Sequence, residues 1–232
     1  MPATTPYNTP ISLRSLVLAT AAAGIVVTGS IAVAPALFAQ ETPQVPGAPD
    51  PTRISGGTYK ADPVHSLVEW EVSHFGFNEY FGIFGDVSGT LMLDPDNLEA
   101  AKVDVVIPIA TVTTASAELT SHLLRPGEGG KSPDFFGADP KAARFVSTAV
   151  TVNEMEAEIT GDLTINGITK EVTLDAEFVG AGVNPFNEKE TVGFEAETTI
   201  TRSDFNVNYA IPLVSDEVEL EISVAFELDK AM

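Results

Sequence analysis

The stretch "EAEITGDLTINGITKEVTLDAEF", residues 156–178, decides the fold class. Ala157, Ile159, Gly161, Leu163 and Ile165 alternate with Glu156, Glu158, Thr160, Asp162 and Thr164. Past Asn166-Gly167 the alternation resumes, with Val172, Leu174, Ala176 and Phe178 opposed by Thr173, Asp175 and Glu177. Side chains on a strand point to opposite faces with a period of two, so each run is a strand with one dry and one wet face. Asn and Gly both tolerate the positive φ of a type I′ turn, and the pair between such runs is a hairpin signal.

The same pattern extends in both directions. Val68, Trp70, Val72 and His74 oppose Glu69, Glu71 and Ser73, and Val192, Phe194, Ala196 and Ile200 oppose Glu195, Glu197 and Thr201. The last run sets Val218, Leu220, Ile222, Val224, Phe226 and Leu228 against Glu217, Glu219, Glu221 and Glu227. Strands are predicted over 58–61, 65–75, 84–93, 101–109, 144–152, 156–165, 169–179 and 191–202, with a closing run over 217–228. Residues 114–124, "TASAELTSHLL", carry good helix formers with Leu119 and Leu123 spaced i, i+4, which predicts one short helix. The chain is therefore all-β and antiparallel, as a sandwich or a barrel. A closed barrel of about eight strands is just wide enough to hold one small ligand.

Of 232 residues, 12 are Lys or Arg and 33 Asp or Glu, a formal net charge of -21. Such a chain is repelled by nucleic acid and by anionic headgroups, so any lipid binding is hydrophobic rather than electrostatic. The acidic outer faces of the strands account for most of that charge. There is no cysteine, which excludes disulfides and thiolate chemistry. Arg14 is the only charge in the first forty residues, and 15–39 is a small, apolar run. That pattern predicts an export signal over 1–39, cleaved after Ala36 or Ala39, or else an uncleaved membrane anchor. Residues 40–57, rich in Pro and Gly, read as a linker before a domain over 58–230.

Candidate chemistry is sparse. His65 and His74 are nine residues apart, which on a strand puts them on opposite faces with about 30 Å between backbones. That geometry argues against a joint metal site unless the strand bends sharply, and none is predicted. His74 ends the inner face, while His65 can bond locally to Asp62 or Ser66. No G-x-S-x-G, H-E-x-x-H, phosphate-binding loop or G-x-G-x-x-G occurs. "DPDN", 94–97, reads as a turn rather than a calcium loop. Several of the 13 phenylalanines, among them Phe75, Phe77, Phe81, Phe84, Phe135, Phe136 and Phe205, cluster near turns or strand ends. As a set they suit the lining and mouth of an apolar cavity.

Five segments carry a resemblance: "YKADPVHSLVEWEVSHFGF", "FGIFGDVSGTL", "SPDFFGADPKAARFVST", "GDLTINGITKEVTL" and "TRSDF". Together they resemble the YceI-like family of exported bacterial lipid-binding proteins, over roughly Thr58 to Leu228. The resemblance implies an extended, lipocalin-like antiparallel β-barrel of about eight strands with one short helix. It implies a lumen for a long-chain isoprenoid, such as an isoprenoid quinone tail, or a fatty-acid-derived lipid, with no other cofactor. It also implies a periplasmic or secreted protein without catalytic activity, in some cases a homodimer, touching membrane only through an uncleaved N-terminal segment.

Asp62, His65, Ser66, His74, Phe75, Phe135, Phe136, Phe145, Arg202 and Phe205 fall on the family's recurrent positions. With the inner-face residues these give an expected ligand-binding set of Val68, Trp70, Val72, His74, Phe75, Phe84, Phe135, Phe136, Phe145, Leu163, Leu174, Phe178, Phe194 and Phe205. Asp62, His65, Ser66, His122 and Arg202 are the polar positions expected near the lumen mouth. The chain departs from the family pattern at Leu119 and Thr120 before His122, in the extra loop "RPGEGG" at 125–130, and at Asn206. Two other function classes fit the sequence, a non-catalytic interaction module and a hydrolase-like enzyme using one of the histidines on a bound amphiphile.

Overall fold

A computed structural model of the chain describes residues 44–229. The export signal or anchor expected over 1–39 lies outside the described residues. The alternating runs form β1 (Gly57–Ala61), β2 (Leu67–His74), β3 (Asn78–Phe84), β4 (Ser88–Leu93) and β5 (Lys102–Ile107). After α1 (Ala117–Leu123) come β6 (Ala143–Asn153), β7 (Glu156–Ile165), β8 (Ile168–Val183), β9 (Glu190–Thr201) and β10 (Glu217–Leu228).

Neighbouring strands pair antiparallel in the order β1-β4-β5-β6-β7-β8-β9-β10, and β10 pairs back onto β1. β10 binds β1 through Phe226–Leu228 and β2 through Glu219–Ser223, so β1 and β2 are two halves of one stave. β4 and β3 pair with those halves in turn. Ten strands thus make eight staves, closed into a barrel rather than stacked as a sandwich. Closure leaves only short unpaired edges, where each open strand edge would otherwise present a row of unpaired N–H and C=O groups.

The hairpin that decided the fold class is present in the expected register, with Ile165 opposite Ile168 and Ala157 opposite Ala176. Its turn residues Asn166 and Gly167 take φ of 52° and 79°, the left-handed conformation that this dipeptide accommodates at little cost. The helix is shorter than predicted. It begins where the Ser116 side chain accepts a hydrogen bond from the Leu119 N–H, an N-cap that satisfies one orphan donor. "DPDN" is a turn, with the Asn97 N–H bonded to the Asp94 carbonyl at 2.9 Å.

Two stretches differ from the sequence pattern. The run predicted over 84–93 is a strand only from Ser88 onward, because Phe84 ends β3 and the chain leaves the ladder between Phe84 and Ser88 with Asp86 at φ 55°. β3 begins earlier, and Gly82 on it faces Trp70 of β2. A Cβ at Gly82 would stand 2.6 Å from the Trp70 ring and 2.7 Å from the Thr113 carbonyl, so only glycine lets the indole lie there. The later part of the expected linker is also tied to the barrel. Ala48 pairs with Ala181 of β8, and the Arg53 guanidinium donates to the Pro46 carbonyl at 2.9 Å and the Ala181 carbonyl at 3.0 Å.

Candidate functional site

The inward faces of the staves do not meet at the centre. They enclose a cavity of about 760 Å³ that runs between the two ends of the barrel. The pairing registers explain why space remains. Ala157, Ala176 and Ala196 stand side by side on β7, β8 and β9, so three successive staves present only a methyl group at one level. Larger rings flank that level, with the Phe178 and Phe194 centroids 5.7 Å apart and those of Phe194 and Phe226 6.5 Å apart.

The residues expected to line a lumen are brought together around this cavity. Val68, Trp70, Val72 and His74 reach it from β2, with Phe75 from the following turn and Phe84 from β3. Phe135 and Phe136 reach it from the loop after α1, Phe145 from β6 and Leu163 from β7. Leu174 and Phe178 on β8, Phe194 on β9 and Phe205 in the turn beyond complete the set. The walls also include residues that sequence reasoning did not single out. Val103 and Val105 of β5 alternate with Asp104, a signal present in the sequence but short. Tyr209, Ala210, Leu213 and Val214 come from the 206–216 loop, which has no periodicity to read.

The polar positions divide. Asp62, His65 and Ser66, expected near the mouth, do not line the cavity; they occupy the break between β1 and β2. The reason is local hydrogen bonding. Asp62 accepts from the Val64 N–H at 3.0 Å and lies 2.6 Å from His65 Nδ1. Burial works against the Asp62 carboxylate, yet the bonds from His65 and Val64 outweigh it and hold the pKa below the ordinary value. Ser66 Oγ accepts from the Ala225 N–H at 3.1 Å, while the Asp62 N–H reaches the Ala225 carbonyl at 2.8 Å, so the broken stave keeps its rungs to β10.

His122 and Arg202 do line the cavity. His122 Nε2 lies 2.7 Å from Asp134 Oδ2, and its ring packs edge-on against Phe135 and Tyr209, at 5.3 and 5.4 Å between centroids. The hydrogen bond from His122, aided by Arg125, keeps the Asp134 carboxyl below its usual range. Arg202, only 6% exposed, donates to four carbonyls: Ser215 at 2.7 Å, Val207 at 2.6 Å, and Tyr209 and Val214 at 3.0 Å each. Burial pushes its guanidinium pKa down, and the nearby Asp216 charge partly opposes that. Asp216 itself is bonded to Ser203 through the backbone N–H and the hydroxyl. Arg202 thus holds the 206–216 loop over this end of the barrel.

The three histidines stand apart, each with a different neighbour: Asp62 for His65, Phe75 for His74 and Asp134 for His122. Ser66, next to His65 in sequence, bonds to Ala225 instead. One polar atom near the lumen is unsatisfied. Trp70 Nε1 is buried with no hydrogen-bond partner among the described residues. The site is thus an apolar container with few polar groups, and what it can do chemically is bury a long apolar chain.

Comparison with known proteins agrees with this geometry. Residues 59–226 match the model of the YceI-like domain. Protein YceI of Escherichia coli O157:H7 is 41% identical over 161 residues, covering 69% of this chain and 80% of that protein. The crystal structure of the YCEI protein of Campylobacter jejuni superposes with a TM-score of 0.56 at 31% identity, covering 68% of this chain and 90% of that one. A polyisoprenoid binding domain from Saccharophagus degradans, implicated in plant cell wall breakdown, superposes with a TM-score of 0.53 at 14% identity. That match covers 75% of this chain and all of that domain, and at such identity the likeness is one of fold.

Proposed function

This chain belongs to the YceI-like family, and on that premise we propose that it is an exported binding protein, not a catalyst, that carries a long-chain lipid in its barrel. The lipid is a polyisoprenoid or a fatty-acid-derived amphiphile, and the protein works in the periplasm or as a secreted protein. The observation that carries the proposal is the apolar cavity of about 760 Å³ spanning the barrel. At about 30 Å³ for each water-sized group, it holds on the order of 25 non-hydrogen atoms, the size of about five isoprene units. Each buried methylene contributes about 0.8 kcal/mol, so ten of them offset on the order of 8 kcal/mol of ordering and association cost. The likeness in fold to the polyisoprenoid binding domain from Saccharophagus degradans supports the same ligand class.

Trp70 adds one chemical detail. A buried N–H left unpaired costs about 1–3 kcal/mol, and a carbonyl or ether oxygen on the bound chain would relieve it. The direct test is native mass spectrometry and lipid extraction on protein purified from its own host. A long-chain adduct is expected. A consistently empty lumen, with no affinity for prenyl or fatty chains, would sink the proposal. Ala176→Phe fills the level of the three alanines and is expected to abolish chain binding, read as loss of the adduct, while the barrel still melts cooperatively.

A further inference from the structure

We propose that the rim formed by residues 73–77 and 209–214 is a membrane-docking surface, which seats the mouth of the lumen on a neutral lipid bilayer. The inference rests on the lipid-carrying proposal above and names the surface from which the chain is taken up.

Four observations converge on it. First, the rim is apolar and exposed: Phe77 is 87% and Leu213 56% exposed, with Phe75 and Tyr209 close behind. Second, it is continuous with the lumen, because Phe75, Tyr209, Leu213 and Val214 also line the cavity. Third, its two segments themselves carry no charge, the nearest acids in the chain being Glu71 and Glu79 beside one and Asp204 and Asp216 beside the other. In a chain of net charge -21, residues 72–78 and 205–215 contain no Asp, Glu, Lys or Arg. These two uncharged segments are the ones the fold joins, through the pairing of His74 with Val214.

Fourth, much of the rim's backbone is bonded from within. The Phe75 N–H donates to the Leu213 carbonyl at 2.7 Å, Ser215 to Ser73 at 2.9 Å, and Phe77 to His74 at 3.1 Å. Val214 donates to the Ala210 carbonyl at 3.0 Å, and Arg202 covers the carbonyls of Val207, Tyr209, Val214 and Ser215. An exposed loop in water needs no such provision, whereas one that enters a lipid interface does, since lipid offers its backbone no partners. Tyrosine and phenylalanine at such a boundary place an apolar body in the membrane, with the tyrosine hydroxyl at headgroup level. The chain's acidity directs the rim to neutral rather than anionic headgroups.

The far end supplies an internal control. Phe186 is even more exposed, at 96%, but it sits in the loop between β8 and β9 beside Glu188, Lys189 and Glu190. The chain has no cysteine, so Phe77→Cys and Phe186→Cys each offer one labelling position in the full-length protein. A polarity-sensitive dye at each position reports depth in phosphatidylcholine vesicles carrying brominated acyl chains, whatever the N-terminal segment does. Quenching and a blue shift are expected at position 77 and not at 186.

With the dye placed through Leu213→Cys, adding Phe77→Glu is expected to weaken vesicle association about tenfold or more, the effect of losing one buried phenylalanine. Adding phosphatidylglycerol is expected to weaken association further. Equal quenching at 77 and 186, no quenching at either, or tighter binding to anionic vesicles would each overturn the proposal. So would a dimer in solution that Phe77→Glu dissociates while vesicles go unbound, since the rim would then be a subunit interface. Lipid extracted from the same preparations separates the two proposals. A filled lumen with position 77 unquenched removes the docking rim alone, whereas an empty lumen with position 77 quenched removes the carrier function and leaves a membrane-docked barrel.

Discussion

The two ends of the barrel fasten their rims in different ways. At the end formed by the β6–β7 and β8–β9 turns, charges meet in pairs at the surface, with Lys189 2.6 Å from Glu227 and Lys60 2.8 Å from Asp229. There Glu190 accepts the Ser55 N–H and hydroxyl at 2.6 Å each and lies beside the buried Tyr59 hydroxyl. At the other end Arg125 pairs with Asp134 at 3.0 Å and Lys170 with Asp204 at 3.2 Å. Yet the rim loop itself is held by one buried cation, Arg202, which turns inward and spends its donors on that loop's carbonyls. The first arrangement fastens a rim through ionised side chains that water can reach. The second leaves a rim whose side chains are free to be aromatic and aliphatic. A charge-rich chain can therefore still present one apolar mouth, provided the loop's carbonyls are held from below.

Breaking the inward arrangement has the largest expected effect. Arg202→Met removes the donor to four carbonyls and should cost about 3 kcal/mol or more, since each buried acceptor left bare costs about 1–3 kcal/mol before relaxation. Urea unfolding monitored at Trp70 measures the loss. Proteolysis is expected to cut first within 206–216 rather than in the 184–189 loop at the far end. A cut at the far loop first would show that Arg202 stabilises the barrel as a whole and not its mouth.

The outward arrangement should break more gently. Tyr59→Phe removes one hydroxyl from the Ser55–Glu190 cluster while leaving the buried ring in place, at an expected cost of about 1–2 kcal/mol. Chain affinity is expected to stay unchanged, because Tyr59 does not line the cavity. Isothermal titration with a prenyl alcohol checks this, and a drop in affinity would mean the two ends are coupled through the lumen.

The difference between the ends also marks what could be read from sequence. The staves were legible because one buried face and one wet face leave a period of two, and the 217–228 run matches β10 at both ends. β3 was not, because Phe81 and Ile83 face outward while Gly82 faces in, and apolar residues on both faces erase the alternation. Of the site, the aromatic and aliphatic lining followed from the same periodicity together with the motif segments. The work of Arg202 did not, since a side chain bonded to the carbonyls of an aperiodic loop leaves no pattern in the chain. Asp62, His65 and Ser66 resemble a polar cluster in sequence for the opposite reason. Their spacing suits local bonds that repair a broken stave, and those bonds keep them from the lumen.

The smallest expected effects are titrations, and they separate the ends by pH. At the mouth, His122 and Arg125 hold the Asp134 carboxyl below its ordinary value of 3.8. A folded pKa that is depressed supplies stability above the unfolded value, and that stability is lost as pH falls through the folded one. At the far end burial, with Glu190 adding to it, raises the Tyr59 phenol above its ordinary 10.0. A raised folded pKa supplies stability that is complete below the unfolded value and is lost as pH rises through the folded one. Losing the Asp134 bonds in acid should therefore loosen the mouth, and ionising Tyr59 in alkali the far end. Asp50, Asp62 and Asp104, also held below the ordinary value, carry the rest of the acid loss. Melting temperatures taken below pH 3.8 and above pH 10.0 test this. Asp134→Asn is expected to reduce the acid limb and leave the alkaline one, and Tyr59→Phe the reverse. The double variant should reduce both additively, because the two groups share no partner. An acid limb left unchanged by Asp134→Asn would remove that carboxylate from the account and leave the mouth resting on Arg202 alone.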